Sequence, residues 1–135
     1  MSPTSKMMIG AILISIPTIE LGGMFLLSLL SGKYKGSALT SFQKAMFRAG
    51  HAHAGIIVIL AIVCQLVADY GSLGEGLMWF GRTGVPVSAL LISGGFFAAA
   101  AGEGREKPNK AIALIYIGAA LLAAALIVLG ISLLV

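Results

Sequence analysis

Two histidines and an arginine lie within an apolar stretch of this chain that is long enough to cross a membrane. They fall in segment 48–55, which reads Arg-Ala-Gly-His-Ala-His-Ala-Gly and contains Arg48, His51 and His53. Ionisable side chains are costly in the hydrocarbon region, so their presence there usually reflects a function. Imidazole ligates haem iron and other transition metals, and it exchanges protons near neutral pH. The segment is therefore a candidate functional site.

The spacing of the two histidines predicts separate roles for them. Residues two positions apart on a helix point roughly 200° from each other, so His51 and His53 cannot readily bind one metal ion. His51 shares its face with Arg48, whereas His53 shares its face with Gly50 and Ile56. Small residues one turn away let another helix or a flat macrocycle approach each imidazole. The sequence contains no further His, Asp or Cys set at helical spacing, which argues against a non-haem metal site.

Glu20 places a carboxylate in the first apolar segment, at a depth similar to that of His51 in the second. At 1.5 Å per residue, Glu20 and His51 each lie roughly 13–15 Å from the helix end that adjoins the connection between the first two helices. We expect them to meet, because an ion pair or a neutral hydrogen bond would lower the desolvation cost of each group. That contact would serve either the site or simply the joining of two helices.

Arg82 is the remaining ionisable residue well inside an apolar segment. It lies within about two turns of the start of the third helix, where arginine side chains commonly snorkel towards the membrane surface. Its alternative role is to pair with an anionic group such as a haem propionate. Gln65 and Asp69, one turn apart near the same surface, are predicted to cap the end of the second helix.

The overall composition indicates an integral membrane protein. The 135 residues are 59% hydrophobic and 10% charged, with a mean hydropathy of +1.02, which leaves too little polar surface for a soluble domain. The net charge of +4 lies mainly in two short hydrophilic stretches without interleaved aromatics, which argues against nucleic-acid binding. Cys64, the single cysteine, lies in an apolar run and is expected to be a small buried hydrophobe.

Four apolar segments, at about 7–30, 42–67, 77–101 and 111–135, each approach the roughly 20 residues that span a bilayer. We predict an all-α integral membrane four-helix bundle in one domain covering residues 1–135, since an isolated short sheet would leave backbone groups unpaired in lipid. The first and third connections carry most of the basic residues and belong on the cytoplasmic side. Both termini are then expected on the non-cytoplasmic side, in a prokaryotic cytoplasmic membrane.

Segment 48–55 resembles the Arg-Ala-His-Ser-Gly segment of styrene oxide isomerase, a small four-helix membrane enzyme. The resemblance covers about ten positions and aligns His53 with the family's haem b ligand, which makes His51 an addition. It implies a homo-oligomer, a trimer in that family, in which ferric iron acts as a Lewis acid on an epoxide oxygen of a small apolar substrate.

Two departures from that family bear on the reaction. Ile59 stands where the family carries an asparagine two turns after the ligand. Segment 90–97, where the family has an aspartate and a catalytic tyrosine, reads Leu-Leu-Ile-Ser-Gly-Gly-Phe-Phe. The resemblance therefore favours haem binding over epoxide isomerisation. We expect haem b to be bound through His53 or His51, with Arg48, Glu20 and Arg82 as further cofactor-binding residues.

Two other function classes remain open. Small multidrug-resistance transporters are also short four-helix proteins with one deep glutamate in the first helix, the position of Glu20, where a change of charge would couple proton and substrate movement. The third alternative is an accessory subunit of a larger membrane complex, because a bundle of this length has little core and much small-residue packing surface.

Overall fold

The structure, a computed structural model, describes residues 1–36 and 38–135, and its regular structure over that range is helical. The four long helices are α1 (Pro3–Leu30), α2 (Ser41–Val67), α3 (Glu75–Ala99) and α4 (Ala113–Ser132). Single 3₁₀ turns at Ala68–Tyr70 and Lys110–Ile112 follow α2 and precede α4. All four helices are long and apolar enough to cross a membrane. The predicted all-helical class is confirmed.

The helices pack mainly in the order of the chain. The most extensive contact is between α3 and α4, followed by α2 with α3 and then α1 with α2. Both termini lie at one end of the bundle, where the Ser72 amide donates to the Ser132 carbonyl at 3.0 Å. We call this the termini end. The other end carries the α1–α2 and α3–α4 connections, and we call it the loop end.

Polar caps extend α1 and α2 beyond the apolar pattern of the sequence. Ser2 caps α1 by accepting from the Ser5 amide at 3.1 Å, and Pro3 occupies the first helical position, where its missing N–H costs nothing. Thr40 and Gln43 form a reciprocal capping box at the start of α2. The helix starts therefore depend on hydroxyl and amide side chains that hydropathy does not count.

Glycines of α3 and α4 allow these two helices to approach closely. A Cβ built on Gly84 would lie 2.7 Å from the Cβ of Ala125, and one built on Gly118 would lie 3.0 Å from the backbone nitrogen of Ile92. Both distances are too short for a larger side chain, so small residues determine the separation of the helices. Gly94, on another face of α3, has open space beside it.

Candidate functional site

The His53 imidazole lies near the middle of α2, on an exposed part of its surface. Its Nδ1 is 2.8 Å from the carbonyl oxygen of Ala49, one turn earlier. A carbonyl oxygen can only accept, so Nδ1 carries a proton, and in the neutral imidazole Nε2 is then the nitrogen with the free lone pair. The ring of Phe96 on α3 lies beside the imidazole, with centroids 5.0 Å apart and planes 31° apart. One hydrogen bond and one aromatic contact therefore orient an exposed imidazole.

The His51 imidazole faces α1 instead. A Cβ built on Gly22 would lie 3.4 Å from its Nδ1, and one built on Gly23 would lie 3.3 Å from its Nε2. The ring thus packs against α1 where two successive glycines leave room for it. The prediction that the two histidines have different surroundings is confirmed. His51 lies in a helix interface, whereas His53 is open on one side.

The prediction that Glu20 and His51 are in contact is wrong. In residues 1–36 and 38–135, neither side chain has an ion pair or hydrogen bond with the other, and Glu20 is exposed. The reason is the rotation of α1 about its axis. His51 packs on Gly22 and Gly23, whose mean direction lies roughly 110° around the helix from that of Glu20. Similar distance from the helix ends does not place two side chains on facing surfaces.

Arg82 forms a buried polar network at the termini end instead of snorkelling. Its guanidinium donates to a carboxylate oxygen of Asp69 at 2.8 Å and to the hydroxyl of Ser5 at 2.6 Å. The Gln65 carbonyl accepts from Arg82 at 3.3 Å, and Ser2 donates to Asp69 through both its amide and its hydroxyl. Arg82 is 8% exposed. Its guanidinium is thus engaged by groups from α1, by Gln65 on α2 and by the following 3₁₀ turn.

This network gives Arg82 a different role from the one expected. It also gives the polar residues at the start of α1 a role, because they bond to Arg82 and Asp69. Arg82 lies at the termini end, whereas His53 contacts Phe96, close to the opposite end of α3. This arrangement therefore does not favour a haem propionate as the partner of Arg82. The sequence signal for the network is the pair Ser2 and Ser5, two hydroxyl residues spaced three apart at the start of the first helix.

The loop end is closed by a second set of buried hydrogen bonds. The Gln43 amide donates to the carbonyl of Ala100 at 3.0 Å and to that of Gly102 at 2.6 Å. Gln43 is 2% exposed, so both bonds are shielded from solvent. Arg48, five residues further along α2, is exposed and makes no ion pair within the described part of the chain.

The ionisable residues singled out in the sequence therefore do not form one cluster. Across the two described ranges, no three His, Cys, Asp or Glu side chains are grouped so that they could hold a metal ion. A single imidazole acting as an axial ligand does not require such a group.

Comparisons with protein families, with curated proteins and with solved structures find no match for this chain. The function is therefore argued from the geometry of its own residues.

Proposed function

We propose that the protein binds haem b within the membrane, with His53 as an axial ligand. The observation that carries this proposal is the hydrogen bond from Nδ1 of the exposed His53 to the Ala49 carbonyl, which in the neutral imidazole leaves Nε2 available as a ligand. Metal-ligating histidines typically donate their other ring N–H to a carbonyl or carboxylate in this way. The short resemblance to styrene oxide isomerase supports the same residue.

The surroundings of His53 fit a flat apolar macrocycle on one side. Ile56, one turn further along α2, is 69% exposed and extends the apolar surface beside the imidazole. Phe96 supports the ring and limits its rotation. One copy of the chain covers only this side, so we propose a homo-oligomer in which a second copy encloses the cofactor. The iron would supply redox or Lewis-acid chemistry when bound, and the chain supplies the imidazole and the apolar setting.

The distribution of charge supports an orientation with the loop end in the cytoplasm. Lys33 and Lys35 lie in the first connection, and Arg105 and Lys107 lie in the third. Basic residues are enriched in cytoplasmic loops.

The visible absorption spectrum of the purified protein tests haem binding directly. We expect a Soret band after expression with haem available, and we expect His53→Ala to lose it. His51→Ala is the matched control, because His51 lies two residues away on the same helix but packs against α1. If His53→Ala keeps full haem content while His51→Ala loses it, the assignment is reversed. If neither substitution changes haem content, or the folded wild type takes up none, haem binding is wrong.

Glu20 supports one alternative, proton-coupled transport in the manner of small multidrug-resistance transporters. Its carboxylate is exposed on α1, well inside a helix long enough to cross a membrane, and it has no ion pair in the described residues. A proton or a cationic substrate would lower the cost of such a group. The alternative predicts uptake of a lipophilic cation into vesicles, driven by a pH gradient and abolished by Glu20→Gln but not by replacing both histidines.

A further inference from the structure

A groove runs along the outside of the bundle between α1 and α3, with α2 as its floor. It consists of two adjoining cavities of about 240 Å³ and 260 Å³ that share Ser15, Val58, Ala89 and Leu90. On α1 its lining extends from Met8 to Gly22, which is about 20 Å at 1.5 Å per residue. The groove exists because α1 packs mainly against α2 and leaves the neighbouring face of α3 open.

The groove is apolar except for three hydroxyl groups. The described side chains that line it carry no charge. The Ser15 hydroxyl donates to the Ile12 carbonyl at 2.6 Å, and the Thr18 hydroxyl donates to the Ser15 carbonyl at 2.7 Å. These two hydroxyls are therefore satisfied within α1. The third belongs to Ser93 on α3.

The Ser93 hydroxyl is buried without a partner. Ser93 is 8% exposed, and its Oγ is the buried side-chain oxygen or nitrogen that lacks a hydrogen bond in the part of the chain described. Other helical serines, such as Ser28, Ser88 and Ser132, donate to the carbonyl three residues earlier. Ser93 departs from that arrangement at the wall of a cavity. Burying an unpaired hydroxyl is unfavourable. Rotation about χ1 would bring this oxygen to the groove, where an external acceptor would pair with it.

We propose that this groove binds an uncharged, elongated, lipid-soluble molecule with an oxygen that accepts a hydrogen bond from Ser93. The length and apolar lining suit a chain or a narrow ring system, and the single free donor suits a ketone or ether oxygen. The absence of charged side chains in the described lining argues against a phospholipid headgroup.

This groove is separate from the proposed haem site. His51 and the α1 interface lie on one flank of α2, whereas His53 contacts Phe96 on the other. The groove proposal does not depend on haem binding, and it can be tested in a variant that lacks His53.

Photolabelling with benzophenone bearing an octyl chain, an uncharged aryl ketone, tests the groove. The purified full chain is irradiated with this probe in detergent micelles, and labelled peptides are located by mass spectrometry. We expect labelling of the groove-facing residues of α1, α2 and α3. A long-chain linear ketone should compete about threefold to tenfold better than the alkane of the same length, the range expected for one hydrogen bond.

Three substitutions separate the hydroxyl from the shape of the groove. Ser93→Ala should remove the preference for ketone over alkane, whereas Ser88→Ala should keep it because that hydroxyl bonds within α3. Gly94→Leu should block labelling, since its side chain would enter open space at the groove. His53→Ala should label like the wild type, which keeps this result distinct from any failure of haem binding.

Several results would overturn the proposal. Equal competition by ketone and alkane in the wild type would show that Ser93 is not used. Labelling spread evenly over the lipid-facing surface would show that there is no site. Loss of labelling in phosphatidylcholine nanodiscs would identify a bilayer lipid as the occupant, and cross-linked dimers joined through the groove would identify a second copy.

Discussion

The side-chain amide of Gln65 donates to the backbone carbonyl of Arg82 across 2.7 Å, and this bond repairs a defect in α3. Pro86 lies four residues after Arg82 and has no N–H, so the Arg82 carbonyl loses its usual helical donor. Both Gln65 and Arg82 are buried, and water cannot replace the missing donor. A residue of α2 therefore completes the backbone hydrogen bonding of α3 while the Arg82 side chain bonds to Asp69.

Gln65 and Pro86 should be energetically coupled. We expect Gln65→Met, which preserves volume, to lower the free energy of unfolding by about 1–2 kcal/mol in the wild type, because it orphans the Arg82 carbonyl. In a Pro86→Ala background the alanine N–H serves that carbonyl, so the cost should be smaller by about 1 kcal/mol. Unfolding of the four variants in mixed micelles, followed by circular dichroism, measures the coupling. Strictly additive effects would contradict this account.

The ion pair between Arg82 and Asp69 should stabilise the termini end. We expect Arg82→Met to cost about 3 kcal/mol, because it leaves the Asp69 carboxylate largely buried without its cation. Arg48→Met is the control, since Arg48 is exposed, and it should cost under about 1 kcal/mol. Adding Asp69→Asn to Arg82→Met should recover part of the loss. Equal effects of the two arginine substitutions in chemical unfolding would refute this role.

Close packing of α3 on α4 should tolerate no side chain at Gly118. Gly118→Leu is expected to destabilise the bundle by about 2–3 kcal/mol or more, because a Cβ there already approaches the Ile92 backbone. Gly130→Leu lies on the same helix with open space beside it and should be close to neutral. Thermal unfolding of the two variants compares them directly. Similar melting temperatures would contradict the packing geometry.

Gln43 should hold the start of α2 against the connection between α3 and α4. Gln43→Leu removes the donor to the Ala100 and Gly102 carbonyls, and we expect a loss of about 1–3 kcal/mol. Hydrogen exchange should increase first in segment 100–112. Lys44→Leu, at the neighbouring exposed position, should leave exchange in that segment unchanged. The prediction fails if both variants protect the segment equally.

Added imidazole should restore haem binding to a variant that lacks the His53 side chain. His53→Gly removes the imidazole and opens space beside Phe96, so added imidazole is expected to restore the Soret band that the variant lacks. His51→Gly should need no rescue. Titration of imidazole against absorbance measures the effect. If added imidazole does not restore the Soret band in a stably folded His53→Gly variant, a single-imidazole ligand at this position is contradicted.

The sequence by itself determined the class, the four helices and the divergence of the two histidines. Hydropathy fixes the length of each apolar segment, and helical periodicity is a local property, so the roughly 200° between His51 and His53 needs no knowledge of neighbouring helices. The caps at Ser2 and Thr40 are also local, although they lie outside the apolar pattern.

The tertiary structure decided which polar residues meet. Glu20 and His51 have similar depth, but the rotation of α1 presents Gly22 and Gly23 to His51. Arg82 meets Asp69 and Ser5, which are distant in sequence. The rotation and spacing of the helices follow from inter-helix packing at small residues. Neither hydropathy nor periodicity encodes that packing. For the same reason, only the fold shows that the Ser93 hydroxyl is buried beside a groove without a partner.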